Sequence, residues 1–248
     1  MTSGIIPPYE LEKKLKGLKL AGMVKVLELR LKQAQEDNMS FSEFLGLLVE
    51  DELNSRSDNR RSRLYKEAHL PFEKGLEDFD FAFQPSIKKA EILELSTCHF
   101  LERRTNILLI GQPGTGKTHL SVALGLKILG YGKTVLFTSV WEMIQRLQAS
   151  RADFTYQRKI EEYLKPDLLI LDELGYRSMG EKTVEDFFEI VSRRYEKGSI
   201  IVTTNRSIAE WDKVFIDRTL TTAIVDRLMH HSTVIEIKGE SYRFKKKD

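Results

Sequence analysis

One cysteine, Cys98, occurs in the 248 residues of the chain. An internal disulfide is thereby excluded, as is any metal site built on cysteine ligands. Cys98 reads as a small half-buried apolar residue, and a reducing cytosolic environment is expected. Long hydrophobic runs are lacking too. No stretch approaches the roughly 20 apolar residues of a membrane span, and Met1 to Glu12 lack the apolar core of a signal peptide. A soluble cytoplasmic protein without a membrane partner is the expectation. Nor is there an excess of one charge: 39 basic residues stand against 37 acidic ones, a formal balance of +2. A nucleic-acid surface would have to come from local clustering of cations.

Strand-like runs are missing from the first third, and glycine is sparse there. From Glu10 to about His69 the pattern is helical: Leu11, Leu15 and Leu18 make one apolar stripe, and Leu20, Met23, Val24, Leu27 and Leu31 another. Ser40 or Ser42 can cap a third helix carrying Phe44, Leu45 and Leu48. The segment Pro71 to Pro85, with breakers and aromatics, is read as the boundary between a helical domain, 1–70, and a second domain, 71–248. Beyond it strand-like runs (Asn106–Ile110, Thr134–Ser139, Leu168–Asp172, Ser199–Thr204, Thr233–Ile237) alternate with helical segments. That alternation predicts an α/β fold: a mostly parallel sheet flanked by helices on both faces. No repeat is visible, and the only low-complexity tract is Lys245-Lys246-Lys247.

What the chain does have is Gly111-Gln112-Pro113-Gly114-Thr115-Gly116-Lys117-Thr118, between an apolar run and a helical pattern beginning at His119. Strand, glycine-rich turn and helix form the loop that cradles nucleotide phosphates. The glycines let backbone N–H groups close round a phosphate, and the helix adds its positive end. Lys117 is expected on the β- and γ-phosphates of ATP, and the Thr118 hydroxyl on Mg²⁺. Leu168-Leu169-Ile170-Leu171 ends in Asp172-Glu173. Beside a phosphate loop, Asp172 would hold Mg²⁺ with Thr118, and Glu173 would orient and deprotonate a water. Asn205, ending another apolar run, can orient that water or sense the γ-phosphate if its strand lies between the other two; a turn asparagine is the plain alternative. Arg218 and Arg227 could stabilise phosphoryl charge from a neighbouring subunit, although surface arginines are common.

Gly111–Thr118, Asp172-Glu173, Thr204-Asn205 and Asp226-Arg227, in this order, resemble an AAA+ ATPase of the initiator and helicase-loader clade. The chain is closer still to IstB-type transposition helper ATPases. Gly114-Thr115-Gly116-Lys117-Thr118-His119-Leu120, Leu171-Asp172-Glu173-Leu174-Gly175-Tyr176 and Gly239-Glu240-Ser241-Tyr242-Arg243 carry that likeness, as do Leu20-Ala21-Gly22-Met23 and Phe44-Leu45-Gly46-Leu47-Leu48-Val49. The resemblance implies an oligomer with ATP at its subunit interfaces, binding duplex DNA with little sequence preference, hydrolysing ATP under DNA stimulation, and stimulating a partner transposase. A replicative helicase loader of the DnaC or DnaI kind is the alternative. It places ATP on Gly111, Pro113, Gly114, Thr115, Gly116, Lys117, Thr118 and His119. Arg227 is preferred to Arg218 as the trans-acting arginine, and Arg243 stands where a second sensor contacts nucleotide. Only about forty residues follow Asn205, too few for a separate helical lid, which leaves the source of an Arg243-type contact open.

Two cationic groups could meet DNA phosphates. Arg56, Arg60 and Arg63 share a helical face, and Arg146, Arg151, Arg158 and Lys159 belong to the insert between Trp141 and Lys165, whose apolar residues, Trp141 included, would pack inward. Solvated helix faces with i, i+4 pairs are the plain reading of both. His230-His231 could suggest a metal, but no cysteine or acidic partner stands at ligand spacing, so a surface or interface role is expected.

Overall fold

In the computed structural model, which describes residues 8–244, the chain forms two compact units, Met1–Arg63 and Leu64–Asp248. The lysine tract at 245–247 and part of the stretch read for a leader lie outside the described residues.

The first unit consists of α1 (Pro8–Gly17), α2 (Ala21–Glu36) and most of α3 (Phe41–Glu67). Ser40, not Ser42, caps α3. Its hydroxyl accepts the Glu43 N–H at 3.3 Å, while the Ser40 N–H donates to the Glu43 carboxylate at 2.8 Å. The Leu20-Ala21-Gly22-Met23 passage has a packing reason: a Cβ on Gly22 would stand 2.8 Å from the Glu52 Cα, so only glycine lets α2 approach α3 this closely. At the same crossing the buried Glu52 carboxylate accepts the Gly22 and Met23 N–H groups at 2.7 and 3.1 Å, capping α2 from a neighbouring helix. Leu18 and Leu45, expected inside, are 68% and 58% exposed, because three helices are too few to cover every apolar stripe.

The second unit begins inside α3, and Leu64 and Ala68 are buried in its core. α4 (Lys89–Leu95) and α5 (His99–Glu102) precede β1 (Asn106–Gly111), α6 (Lys117–Gly130) and β2 (Val135–Ser139). There follow α7 (Val140–Ala152), α8 (Tyr156–Leu164), β3 (Leu168–Leu174), α9 (Glu181–Arg194), β4 (Ser199–Thr204), α10 (Arg218–Met229) and β5 (Ser232–Ile237). The strands pair in parallel in the order β2-β3-β4-β1-β5. The apolar runs without alternation are explained by burial on both faces. Leu108, Leu169, Leu171 and Val202 pack beneath α7–α10, whereas Ile107, Leu109, Ile170 and Ile201 pack beneath α4–α6. No helix among the described residues is long and apolar enough to cross a membrane.

Candidate nucleotide-binding site

The sheet order places β4 between β1 and β3, so the loop after β1, the acids ending β3 and Asn205 after β4 all come to the carboxyl edge of the sheet. Ligands of open parallel sheets bind at that edge.

The glycine-rich loop is shaped by two left-handed residues, Gly114 (φ 81°) and Gly116 (φ 96°). Thr115 is fully buried and its hydroxyl donates to the Gln112 carbonyl at 2.8 Å, closing the turn, while Pro113 stands exposed on the outside. α6 starts at Lys117, so its unpaired N–H groups face the loop. The Lys117 ammonium folds back onto the Gly111 and Gln112 carbonyls at 2.7 and 2.9 Å. Burial lowers its pKa, Asp172 opposes that shift, Arg243 adds to it as a like charge, and Glu173 opposes it again.

The Thr118 hydroxyl lies 3.0 Å from both oxygens of Asp172. A hydroxyl and a nearly buried carboxylate in this contact supply the hard oxygen donors that suit Mg²⁺. Burial raises the Asp172 pKa; hydrogen bonds from Thr203 and Thr118 pull it down, Glu173 raises it, and Lys117 lowers it. Glu173 is exposed and has φ 64°, where β3 and β4 lose register between Leu171 and Leu174. A non-glycine residue held there stores strain that something must offset. Thr203 does so, and the sequence reading missed it. Its hydroxyl donates to Asp172 at 2.5 Å and accepts the Glu173 N–H at 3.0 Å, fixing both acids. The available signal was a threonine inside an apolar strand, but its partner depended on β4 lying beside β3. Asn205, half-buried, follows the last residue of β4, Thr204.

The segment Pro71 to Pro85 packs against the glycine-rich loop. A Cβ on Gly116 would stand 2.6 Å from the Phe79 ring, which covers the loop. His119 reaches the Gly75 carbonyl at 2.9 Å and meets Phe79 edge-on at 5.3 Å. The stretch after β5 also lies against the loop. Tyr242 N–H donates to the Gly114 carbonyl at 2.9 Å, and a Cβ on Gly114 would meet Ser241. Arg243, exposed on this turn, is near enough to act on Lys117.

Arg227, half-buried, donates to the Ala223 carbonyl at 3.0 Å and stands 5.0 Å over the Phe188 ring. It shares a small cavity with Asn106 and Gly198 at the amino ends of β1 and β4. A strand of this length separates it from Gly111 by roughly 17 Å, beyond reach of its own loop. Arg218, at the start of α10, is exposed. Among the candidate DNA contacts, Arg56 is paired with Glu52 at 2.7 Å, Arg146 with Glu142 at 2.6 Å and Lys159 with Glu162 at 2.6 Å. Arg151 is bound to the fully buried Asp186 carboxylate at 2.5 Å and stacks on Tyr156 at 3.9 Å, because that carboxylate must be neutralised. Arg60, Arg63 and Arg158 are exposed. Trp141, expected inside, is 37% exposed, with the Arg177 guanidinium 4.8 Å over its ring.

Residues 13–248 match the family of IstB-like ATP-binding proteins. The protein described as ATP-binding in insertion sequence IS21 of Pseudomonas aeruginosa is 42% identical over 96% of this chain and 90% of its own. Among solved structures, the replication initiator DnaA bound to AMPPCP and single-stranded DNA is 27% identical, with a TM-score of 0.56, over 71% of this chain. The match spans 54% of DnaA, about half of that chain. The DnaC helicase loader shares the fold at 22% identity and a TM-score of 0.55, over 71% of this chain and 99% of its own.

Proposed function

The chain belongs to the IstB-like ATP-binding protein family and binds ATP on an AAA+ fold; from that premise we propose that it hydrolyses ATP as an oligomer on duplex DNA and stimulates the transposase of its insertion sequence. The observation that carries the hydrolytic reading is the contact of Thr118 with Asp172, with Glu173 next in the chain, beside a loop ending in Lys117. Lys117 leaves its two carbonyls to bind the β- and γ-phosphates. Thr118 and Asp172 hold Mg²⁺, which supplies charge neutralisation at the phosphates when bound. Glu173 accepts the proton of the attacking water, and Asn205 orients that water. Arg243 binds nucleotide from the turn beside Gly114.

The position of Arg227 at the far end of the sheet supports a role in trans, in a neighbour's site, with Arg218 as its competitor on the same helix. DNA binding is supported by the relative's insertion-sequence context and by the neighbour solved with single-stranded DNA. Arg56, Arg60, Arg63, Arg146, Arg158 and Lys159 are the candidates for phosphate contact, and Arg151, held on the buried Asp186, comes last. The 1–70 helical region carries DNA or partner contacts and oligomerisation in this reading.

Nucleotide binding and turnover of Lys117→Ala and Glu173→Gln test the assignment. Lys117→Ala should lose ATP binding, whereas Glu173→Gln should bind ATP and not turn it over; normal turnover in Glu173→Gln overturns the role of that acid. Arg227→Ala should cut turnover by about 10³-fold or more, and mixing it with Lys117→Ala should restore part of the loss, since each supplies what the other lacks. Capture of a hexameric helicase, and not of a transposase, would favour the helicase-loader reading.

A further inference from the structure

The two adjacent histidines have an acidic partner that their sequence neighbourhood does not show. Glu196, in the turn after α9, stands beside His230 and His231 at the end of α10, and one ligand atom from each lies within 4.8 Å of the others. All three are exposed, and the two imidazole centroids are 4.1 Å apart.

The three positions are held from beneath. The His231 carbonyl accepts the Asn106 N–H at 2.7 Å, which ties the turn to the start of β1. The Asn106 amide also donates to the Leu228 carbonyl at 3.1 Å, fixing the last turn of α10. The Glu196 carbonyl accepts from Arg104, and Glu196 has φ 55°, so its side chain leaves the turn in a set direction. Tyr195 OH and His230 Nδ1 are 2.8 Å apart. A partner on one ring nitrogen orients the imidazole and leaves the other nitrogen free for a ligand, as in metal sites whose histidines are held by a second hydrogen bond.

We propose that Glu196, His230 and His231 form a binding site for a single divalent transition-metal ion, with zinc the best chemical match. Two imidazoles and one carboxylate are a zinc-type donor set, completed by water at a fourth position. Bonds of about 2.0–2.1 Å place tetrahedral ligand atoms roughly 3.3 Å apart. Closing from 4.8 Å needs only side-chain rotation, which exposed groups permit. The adjoining cations have partners of their own: Arg104 donates to the Glu196 carbonyl, and Arg227 donates to the Ala223 carbonyl and stands over Phe188. The site lies at the amino end of the sheet, a strand length from Thr118 and Asp172, so it is separate from the nucleotide centre of its own chain. An ion there would clamp the α9 turn to the end of α10.

The test is calorimetric titration of the metal-stripped full chain with Zn²⁺, with Mg²⁺ and AMPPCP saturating so that the oxygen donors of the nucleotide site are engaged. One Zn²⁺ per chain and a rise in Tm are expected, and Co²⁺ should give a visible tetrahedral absorption band. Glu196→Gln should weaken binding at least about tenfold, since even loss of an outer partner that orients a ligand costs that much, and joint His230→Ala and His231→Ala should abolish both heat and band. Because the residues are exposed, AMPPCP affinity and the circular dichroism spectrum should match wild type in every variant. Absence of saturable binding, or binding equally tight in both variants, overturns the assignment.

Discussion

Replacing Thr203 by valine keeps the shape of the side chain and removes only its hydroxyl. Thr203 is 1% exposed and serves two partners, the Asp172 carboxylate at 2.5 Å and the Glu173 N–H at 3.0 Å. A hydrogen bond to a charged group is worth about 1.5–3 kcal/mol and a neutral one about 1 kcal/mol, so Thr203→Val should destabilise the second unit by about 2–4 kcal/mol. In a domain of this size each kcal/mol lowers Tm by about 2–4 °C. The kinetic effect should be larger. Glu173 sits at φ 64°, a conformation costing on the order of 1–3 kcal/mol that the Thr203 contact helps to offset. Once released, the backbone relaxes and the carboxylate moves, and a misplacement of about 1 Å can reduce turnover about 10²-fold. Affinity for metal-free nucleotide should change little, because the loop is closed by the contacts of Thr115 and Lys117 with the Gln112 and Gly111 carbonyls. Thr203→Ser, which keeps the oxygen, should recover most of the turnover. Urea denaturation and steady-state ATP hydrolysis on the three proteins decide the matter. A valine variant within about 0.5 kcal/mol of wild-type stability and with wild-type turnover would refute the reasoning, as would a serine variant equally impaired.

Asp172 has a raised pKa in the folded chain, chiefly through burial, so the folded state holds its proton more tightly than the unfolded state. Its contribution is therefore most favourable below the unfolded pKa and is lost as pH rises through the folded value. Asp172→Asn should match or exceed wild-type Tm at neutral pH without nucleotide, yet lose the extra stability conferred by Mg²⁺ and ATP; thermal melts across pH, with and without ligand, check both signs. Gly22→Ala would press a Cβ against the Glu52 backbone and carboxylate, so it should destabilise the first unit by about 1–3 kcal/mol in spite of the better helix propensity of alanine. Faster amide exchange along α2, with no change in AMPPCP affinity, is the expected signature. Burial pushes the Cys98 thiol up to about 11, leaving roughly one thiolate in a thousand at pH 8, so alkylation by iodoacetamide should be far slower than for a free thiol and should rise steeply with pH.

The phosphate loop, the acids ending β3, the five strands and the helical first third could all be read locally. Each depends on short-range requirements: glycine where φ is positive, apolar runs where both sheet faces are covered, and apolar residues at helical spacing where one face is. The roles proposed for Lys117, Thr118, Asp172 and Glu173 follow from residue type and order along the chain. Residues whose meaning depends on which strand lies beside which were not legible. Thr203 became a support for both acids only because β4 inserts between β1 and β3. Phe79, in a segment that breakers and aromatics mark as a boundary, proved to cover Gly116, and Arg151, cationic in sequence, is committed to Asp186. Glu196 comes beside the histidine pair, more than thirty residues further along, only through the turn after α9 and the end of α10. Composition and spacing carry what a residue needs from its own few neighbours; partners brought in by strand order and helix packing are decided by the global burial of apolar surface, which no local window contains.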